Sequence, residues 1–262
     1  MFDRADWNGA LAGAPRGRPA VRLIAPVRKS GSGSNAFLGL ADDGRSYWLK
    51  VPGNAQGDEI LSAEQIVAAA AMLIEAPAVK VELIEVPEAL SGWEYATFHR
   101  LRPGIAHGSL VLDSAEEGDR LVYSRRDGNP DRMPSFFALW DWCMGDDEQW
   151  LFDQSKDYAM WTFDHGWWLG GGPGWDAESL ATMVDRDWRW GGPVAGSNPE
   201  AFEAAAVRLE GVTPQQLIGA VASVPVEWGV SESELETVAW ALYRRRGPVA
   251  QRLRELSARA AH

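Results

Sequence analysis

The sequence predicts an α+β protein: a small β-rich first part that carries one helix, followed by a larger and mainly helical part. Three observations predict it. Up to Arg102, short β-prone runs alternate with Gly, Ser and Asp turn signals; one alanine-rich stretch of helical spacing interrupts them; and capped helical segments close the chain. The 262 residues are enough for a real core, and 46% hydrophobic with 24% charged residues excludes a disordered or fibrous chain.

Val21 to Val27, Ala36 to Ala41 and Tyr47 to Val51 read as hairpin strands. Asp43 and Gly44 mark a two-residue turn between the second and third, with positive φ expected at both central positions. Glu59 to Ile74 reads as a helix, because Ile60, Ile66, Val67, Ala70 and Leu73 or Ile74 recur near helical spacing, and Pro77 stops it. Val79 to Val86 alternates apolar residues with Lys80, Glu82 and Glu85 as a half-exposed strand does, and Trp93 to Leu101 is expected to pair with it.

Beyond residue 103 the balance shifts to helices. Ser135 to Met144 reads as a short aromatic helix begun by Pro134 and Ser135, and Trp150 to Phe152 and Met160 to Phe163 as short strands around a polar turn. Gly170 to Pro199, rich in Gly, Pro, Asp and Trp, reads as an ordered loop. Helices are expected at Pro199 to Leu209, Thr213 to Ser223 and Ser231 to Arg246, the last two opened by capping boxes with Gln216 and Glu234. Gly247 and Pro248 are expected to break the chain before a final helix to about Ala260. No fixed-period repeat supports a solenoid.

Charge and cysteine content narrow the function classes. Lys and Arg total 25 against 37 Asp and Glu, and the net −12 repels a phosphate backbone, which argues against nucleic-acid binding. Cys143 is the single cysteine, so neither an internal disulfide nor a multi-cysteine zinc site is possible, and a reducing cytoplasm fits. The longest apolar run, Ile66 to Ile74, has 9 residues, short of the roughly 18 that span a bilayer, so no membrane partner is expected. The N-terminal residues lack the apolar core of a signal peptide. Nine of the 14 tryptophans fall between Trp140 and Trp190, a density that reads chiefly as core packing.

Two constellations carry chemistry. Ser30, Gly31, Ser32, Gly33 and Ser34 join two strands as small residues whose N–H groups can approach phosphate oxygens, although a plain hairpin turn uses the same residues. Lys50 ends the next apolar strand, where the pleat can place its ammonium beneath that turn, and Glu64 on the following helix can pair with it. The second constellation is "WDWCMGDDEQWLFD" with "YAMWTFDHGWW". Asp146 and Asp147 follow the aromatic helix, and Asp164 ends a short apolar strand, where an unpaired acid is costly to bury. Such acids can supply one general base and one magnesium ligand. His107, His165 and the Arg125, Arg126 and Arg132 group read as structural or solvated residues.

The order Gly/Ser turn, strand Lys, helix Glu, "GDD", hairpin and "DHG" resembles the protein-kinase arrangement in its HipA-like form. "PGIAHGS" from Pro103 to Ser109 resembles a loop of that family, and "VPVEWG" with the terminal "RRRGPVAQRL" fits its helical tail. The resemblance, over roughly residues 20 to 260, implies a two-lobed protein-kinase-like fold: an N-terminal extension at 1–20, an N-lobe at 21–102 and a C-lobe at 103–262. It implies a Ser/Thr kinase that uses ATP and Mg²⁺ to phosphorylate a protein or small-molecule hydroxyl. Gly31, Ser32, Gly33 and Ser34 would cover the phosphates, Lys50 would contact the α- and β-phosphates, and Glu64 would hold Lys50. Asp164 would bind the metal, and Asp147 or Asp146 would accept the hydroxyl proton. The chain departs from the pattern where a second metal ligand is expected: Leu151 and Phe152 stand five residues after the two acids, and Gln149, with Asp153 as a second candidate, offers the nearest oxygen. That departure leaves open a catalytically impaired pseudokinase that binds nucleotide or protein, and the shared core leaves open aminoglycoside-type phosphotransfer.

Overall fold

Inward-facing apolar side chains, Phe37, Tyr47 and Leu49 among them, pack the inside of a five-stranded barrel in the first part of the chain. The computed structural model describes residues 3–31, 33–54, 56–170, 172 and 174–260. Strands β1 (Val21–Lys29), β2 (Phe37–Ala41) and β3 (Ser46–Lys50) form an antiparallel meander, as the hairpin reading predicts. Gly44 alone has positive φ in the β2–β3 turn. Its N–H bonds the Ala41 carbonyl at 3.0 Å and the Ala41 N–H bonds the Arg45 carbonyl at 2.9 Å, so the loop has three residues and Asp43 keeps ordinary backbone.

Helix α1 (Glu59–Ile74) has the expected bounds, but Glu75, left-handed at φ 56°, ends it two residues before Pro77. Strand β4 (Val81–Val86) does not pair with Trp93 to Leu101. That segment folds on itself as the hairpin β5 (Glu94–Ala96) and β6 (His99–Arg100), while β4 pairs with β7 (Gly104–Leu110) and, in parallel, with β1. The "PGIAHGS" segment, expected as a loop, is therefore the strand that inserts between β3 and β4 and closes the ring β1-β2-β3-β7-β4. Phe37, Tyr47, Leu49, Ile84 and Ala106 fill the interior, which is so narrow that a Cβ on Gly39 would lie 2.5 Å from Leu23 and 2.7 Å from Leu49.

A second sheet follows, with β8 (Ala115–Gly118), β9 (Trp150–Asp153) and β10 (Ala159–Thr162) in the order β10-β9-β8. Two hydrogen bonds, which together make the parallel bridge Ala78–Thr162, fasten it beneath the barrel: the Thr162 N–H to the Pro77 carbonyl at 2.7 Å and the Val79 N–H to the Thr162 carbonyl at 2.9 Å. Asn129 adds a cross-link, bonding the Tyr123 and Tyr158 carbonyls and the Met160 N–H.

Helix α2 (Asn129–Trp142) starts six residues before the expected Ser135. Pro134 lies inside it, and the Pro130 carbonyl that its missing N–H would have bonded accepts the Asn198 N–H at 2.8 Å instead. The region expected as a loop from Gly170 to Pro199 contains α3 (Ala177–Met183), capped by Asp176 and Ser179. Helices α4 (Pro199–Gly211) and α5 (Pro214–Ala222) match expectation, and the Thr213/Gln216 and Ser231/Glu234 capping pairs form. The Gly247-Pro248 break does not occur: α6 runs unbroken over Glu232–Ala260. Leu235, Val238 and Leu242 before the pair and Val249, Leu253 and Leu256 after it are buried in the same core, and this packing outweighs the local cost of proline. The N-terminal residues lie on this helical half. Arg4 bonds Thr237, Trp7 is buried, and the Leu11 N–H bonds Glu236. Most of the clustered tryptophans are core: Trp142, Trp150 and Trp168 are fully buried, and Phe136, Trp140 and Trp190 pack edge and face among them. Among the described residues no helix is long and apolar enough to cross a membrane.

Candidate functional site

The pleat of β3 sends Tyr47 and Leu49 into the barrel and turns Trp48 and Lys50 to the opposite face, towards the second sheet. A cavity of about 630 Å³ lies between the two, a size that takes a small-molecule ligand. Ser30, Gly31, Gly33, Ser34, Trp48 and Lys50 line it from the barrel; Asp147, Gln149, Leu151, Phe163 and Asp164 line it from below. A Cβ on Gly31 would meet nothing within 4 Å, so the protein's own packing does not require glycine there, and the turn leaves room for a ligand close to its backbone. Ser32 lies outside the described residues.

Lys50, 7% exposed, joins the two halves of the site. Its ammonium donates to Glu64 Oε1 at 2.5 Å and to Asp164 Oδ1. Glu64 sits on the second turn of α1, buried, and its other oxygen accepts the backbone N–H of His165 at 3.0 Å. Helix, strand and the turn after β10 therefore meet on one ammonium. Gly166 makes room for the helix, since a Cβ there would come within 3.1 Å of Ile60.

Electrostatics follow from this burial. Desolvation favours the neutral form of Lys50, but Glu64 and Asp164 outweigh it and hold the ammonium charged. Burial likewise opposes ionisation of Glu64, yet Lys50, then His107 and His165, bring its carboxyl down to about 2. Burial drives His107 and His165 down to about 4, so both are neutral imidazoles at pH 7, with Nε2 of each within 3.2 Å of a hydroxyl: Ser109 and Thr162 respectively. Asp164 is pushed above its ordinary value by burial, with Lys50 opposing. Its side chain is 26% exposed, and its backbone is left-handed at φ 56°, a conformation that aspartate tolerates at modest cost.

The loop between α2 and β9 distinguishes the two candidate acids. Asp147, exposed and left-handed at φ 55°, lines the cavity; Asp146 does not, and its Oδ1 accepts the Asp147 N–H at 2.9 Å. The Gln149 amide donates to Asp147 Oδ2 at 2.8 Å and so holds that carboxylate in place. Asp153 is not among the cavity-lining residues: it caps the turn after β9, accepting from the Ser155 N–H at 3.0 Å. Asp164 and the Gln149 carbonyl are hard oxygen donors on one wall, the kind that suits magnesium shared with phosphate oxygens. Among the described residues no three or more His, Cys, Asp or Glu side chains form a metal-holding group by themselves.

Sequence reasoning brought together Lys50, Glu64 and Asp164 but missed Trp48, Arg28 and Glu117, which also line the cleft. Trp48 was findable, because it stands two residues before Lys50 in a strand and so shares its face. The Arg126 and Arg132 guanidinium groups pair with Asp157 and Asp127 on a solvated turn.

No family model matches the chain, and no curated protein matches its sequence. Solved structures do. The proinflammatory kinase CtkA of Helicobacter pylori superposes with a TM-score of 0.55 at 12% identity, over 92% of this chain and 97% of its own. Two structures of the Golgi casein kinase, one with Mn/ADP bound, cover 99% of this chain at 10% identity and a TM-score of 0.49, over 78% and 79% of their own lengths. The likeness to CtkA shows a kinase-like fold.

Proposed function

We propose that the chain is a HipA-like Ser/Thr kinase that transfers the ATP γ-phosphoryl group to a hydroxyl acceptor in the cleft between barrel and second sheet. The observation that carries this reading is the buried Lys50 ammonium, bonded at once to Glu64 of α1 and to Asp164 after β10, at the inner end of a cavity roofed by a Gly/Ser turn. In such a site catalysis is positioning and charge neutralisation. Lys50, fixed in direction by Glu64, binds phosphate oxygens; the backbone of Gly31, Gly33 and Ser34 lies over them. Asp164 and the Gln149 side-chain oxygen would hold magnesium, which would neutralise charge on the phosphates. Asp147 accepts the proton of the attacking hydroxyl, with Gln149 orienting its carboxylate and Asp146 shaping the turn.

Titration of the protein with ATP and Mg²⁺, repeated on Lys50→Ala and Asp164→Ala, tests the reading. Binding should be lost or strongly weakened in both variants; equal binding by all three proteins contradicts it. One observation favours a pseudokinase instead. Leu151 and Phe152 stand where the family pattern places an asparagine for the second metal contact, and the nearby Gln149 amide nitrogen is engaged with Asp147. Transfer of labelled γ-phosphate to protein or to a small-molecule acceptor supports the enzyme, and nucleotide binding without transfer supports the pseudokinase.

A further inference from the structure

The hairpin β5–β6 carries an aromatic side chain that the fold itself hardly uses. Phe98, in its turn, is 96% exposed, and its backbone is left-handed at φ 65°, where a turn ordinarily takes Gly or Asn and a bulky residue is strained. A ring so exposed packs on almost nothing, so the strain is not repaid within the chain. Beside it lies a groove of about 340 Å³, and among the described residues none lines both this groove and the cleft at Lys50. Its floor is apolar, made by the buried Val51, Val86, Tyr95 and Ile105. Its rim is cationic: His99, Arg100 and Arg102 stand along it and, among the described residues, no Asp or Glu does, in a chain of net charge −12. The Arg100 guanidinium donates to the Gly92 carbonyl at 3.2 Å, with Glu94 no nearer than 3.8 Å. The Arg102 guanidinium is exposed and makes no hydrogen bond or ion pair among the described residues.

We propose that this groove docks an acidic peptide segment of a partner protein, with one large apolar side chain of the peptide between Phe98 and the floor and flanking carboxylates on Arg100 and Arg102. Charge decides the class of partner: the cationic rim attracts carboxylates that the acidic remainder of the chain repels. Gly53 and Gly104 leave the groove open, since a Cβ on either would meet nothing within 4 Å, and an extended backbone can therefore run through it. The docking site uses neither Lys50 nor a bound nucleotide, and it stands or falls apart from the kinase reading.

Fluorescence polarisation with three labelled peptides tests the assignment: one phenylalanine flanked by glutamates, the same peptide with alanine for the phenylalanine, and the same with lysines for the glutamates. Wild-type protein should bind the first about tenfold or more tighter than either control, and added salt should weaken it. Phe98→Ala and Arg102→Glu should each weaken the first peptide about tenfold or more. Phe98→Asn, which suits a left-handed backbone better, should keep or raise the Tm and still lose the peptide. No preference for the acidic probe, failure to bind it included, or undiminished binding by Phe98→Ala and Arg102→Glu overturns the docking site. A lower Tm in Phe98→Asn overturns it too, since the ring would then serve the fold. A concentration-dependent dimer of the wild-type protein that either substitution breaks overturns the acidic partner and assigns the groove to a second copy of the chain.

Discussion

Glu64→Gln is the most informative substitution, because it removes one charge and little else. Glutamine keeps an oxygen for the His165 N–H but leaves the Lys50 ammonium, 7% exposed, with Asp164 as its only anionic partner. The Glu64 carboxyl is held at about 2 against an ordinary 4.5. At about 1.4 kcal/mol per tenfold, this corresponds to about 3 kcal/mol of folding stability at neutral pH. Breaking a buried ion pair by removing one partner costs about 3–5 kcal/mol, which agrees. Because the folded value lies below the unfolded one, the contribution is complete above pH 4.5 and fades as pH falls towards 2. Urea unfolding at pH 7 should give a loss of about 3 kcal/mol, and thermal unfolding a Tm lower by about 6–12 °C. In the cycle with Lys50→Met, the double variant should lose less than the sum of the singles, since the second change removes the stranded charge. A loss below about 0.5 kcal/mol, or strict additivity, would refute the argument that this pair is buried and coupled.

Three more predictions follow from the geometry. His107, held near pH 4 by burial, is neutral in the fold and protonates more readily when unfolded, so stability should fall by up to about 3 kcal/mol as pH drops from 6.5 to 4. His107→Gln should flatten that slope, and an unchanged pH profile would contradict it. Arg245, buried, bonds the carbonyls of Asp141, Trp142, Val184 and Arg186. Arg245→Met should therefore cost about 3 kcal/mol or more, read by urea unfolding, whereas a near-neutral effect would show those carbonyls satisfied otherwise. Asp147→Asn should reduce phosphoryl transfer by about 10² to 10⁴ while Asp146→Asn retains most of it, and equal losses would remove the distinction between the two acids.

What was legible in the sequence was local. The helix bearing Glu64, the strand ending in Lys50 and the turn bearing Asp164 each carry their own pattern, and an apolar strand that ends in a charged residue advertises a partner. What was not legible depended on distant packing. Strand β7 reads "GIAHGSL", small residues and a histidine without alternation, because it is covered on both sides by β3 and β4 neighbours and by α1. Strand β8, "AEEG", is polar and exists only because β9 pairs with it. The proline in α6 reads as a break until the apolar stripe on either side is seen to share one core. Trp48 differs: it stands two residues before Lys50, so strand periodicity alone places its ring on the same face.

A crystal structure with a non-hydrolysable ATP analogue and Mg²⁺ tests the central claim most directly. The account predicts the triphosphate between the Gly/Ser turn and Lys50, Lys50 still on Glu64, and Asp164 turned from the ammonium to the metal. A nucleotide bound elsewhere, or a cleft in which the Lys50–Asp164 bond persists with no phosphate beside it, would contradict it.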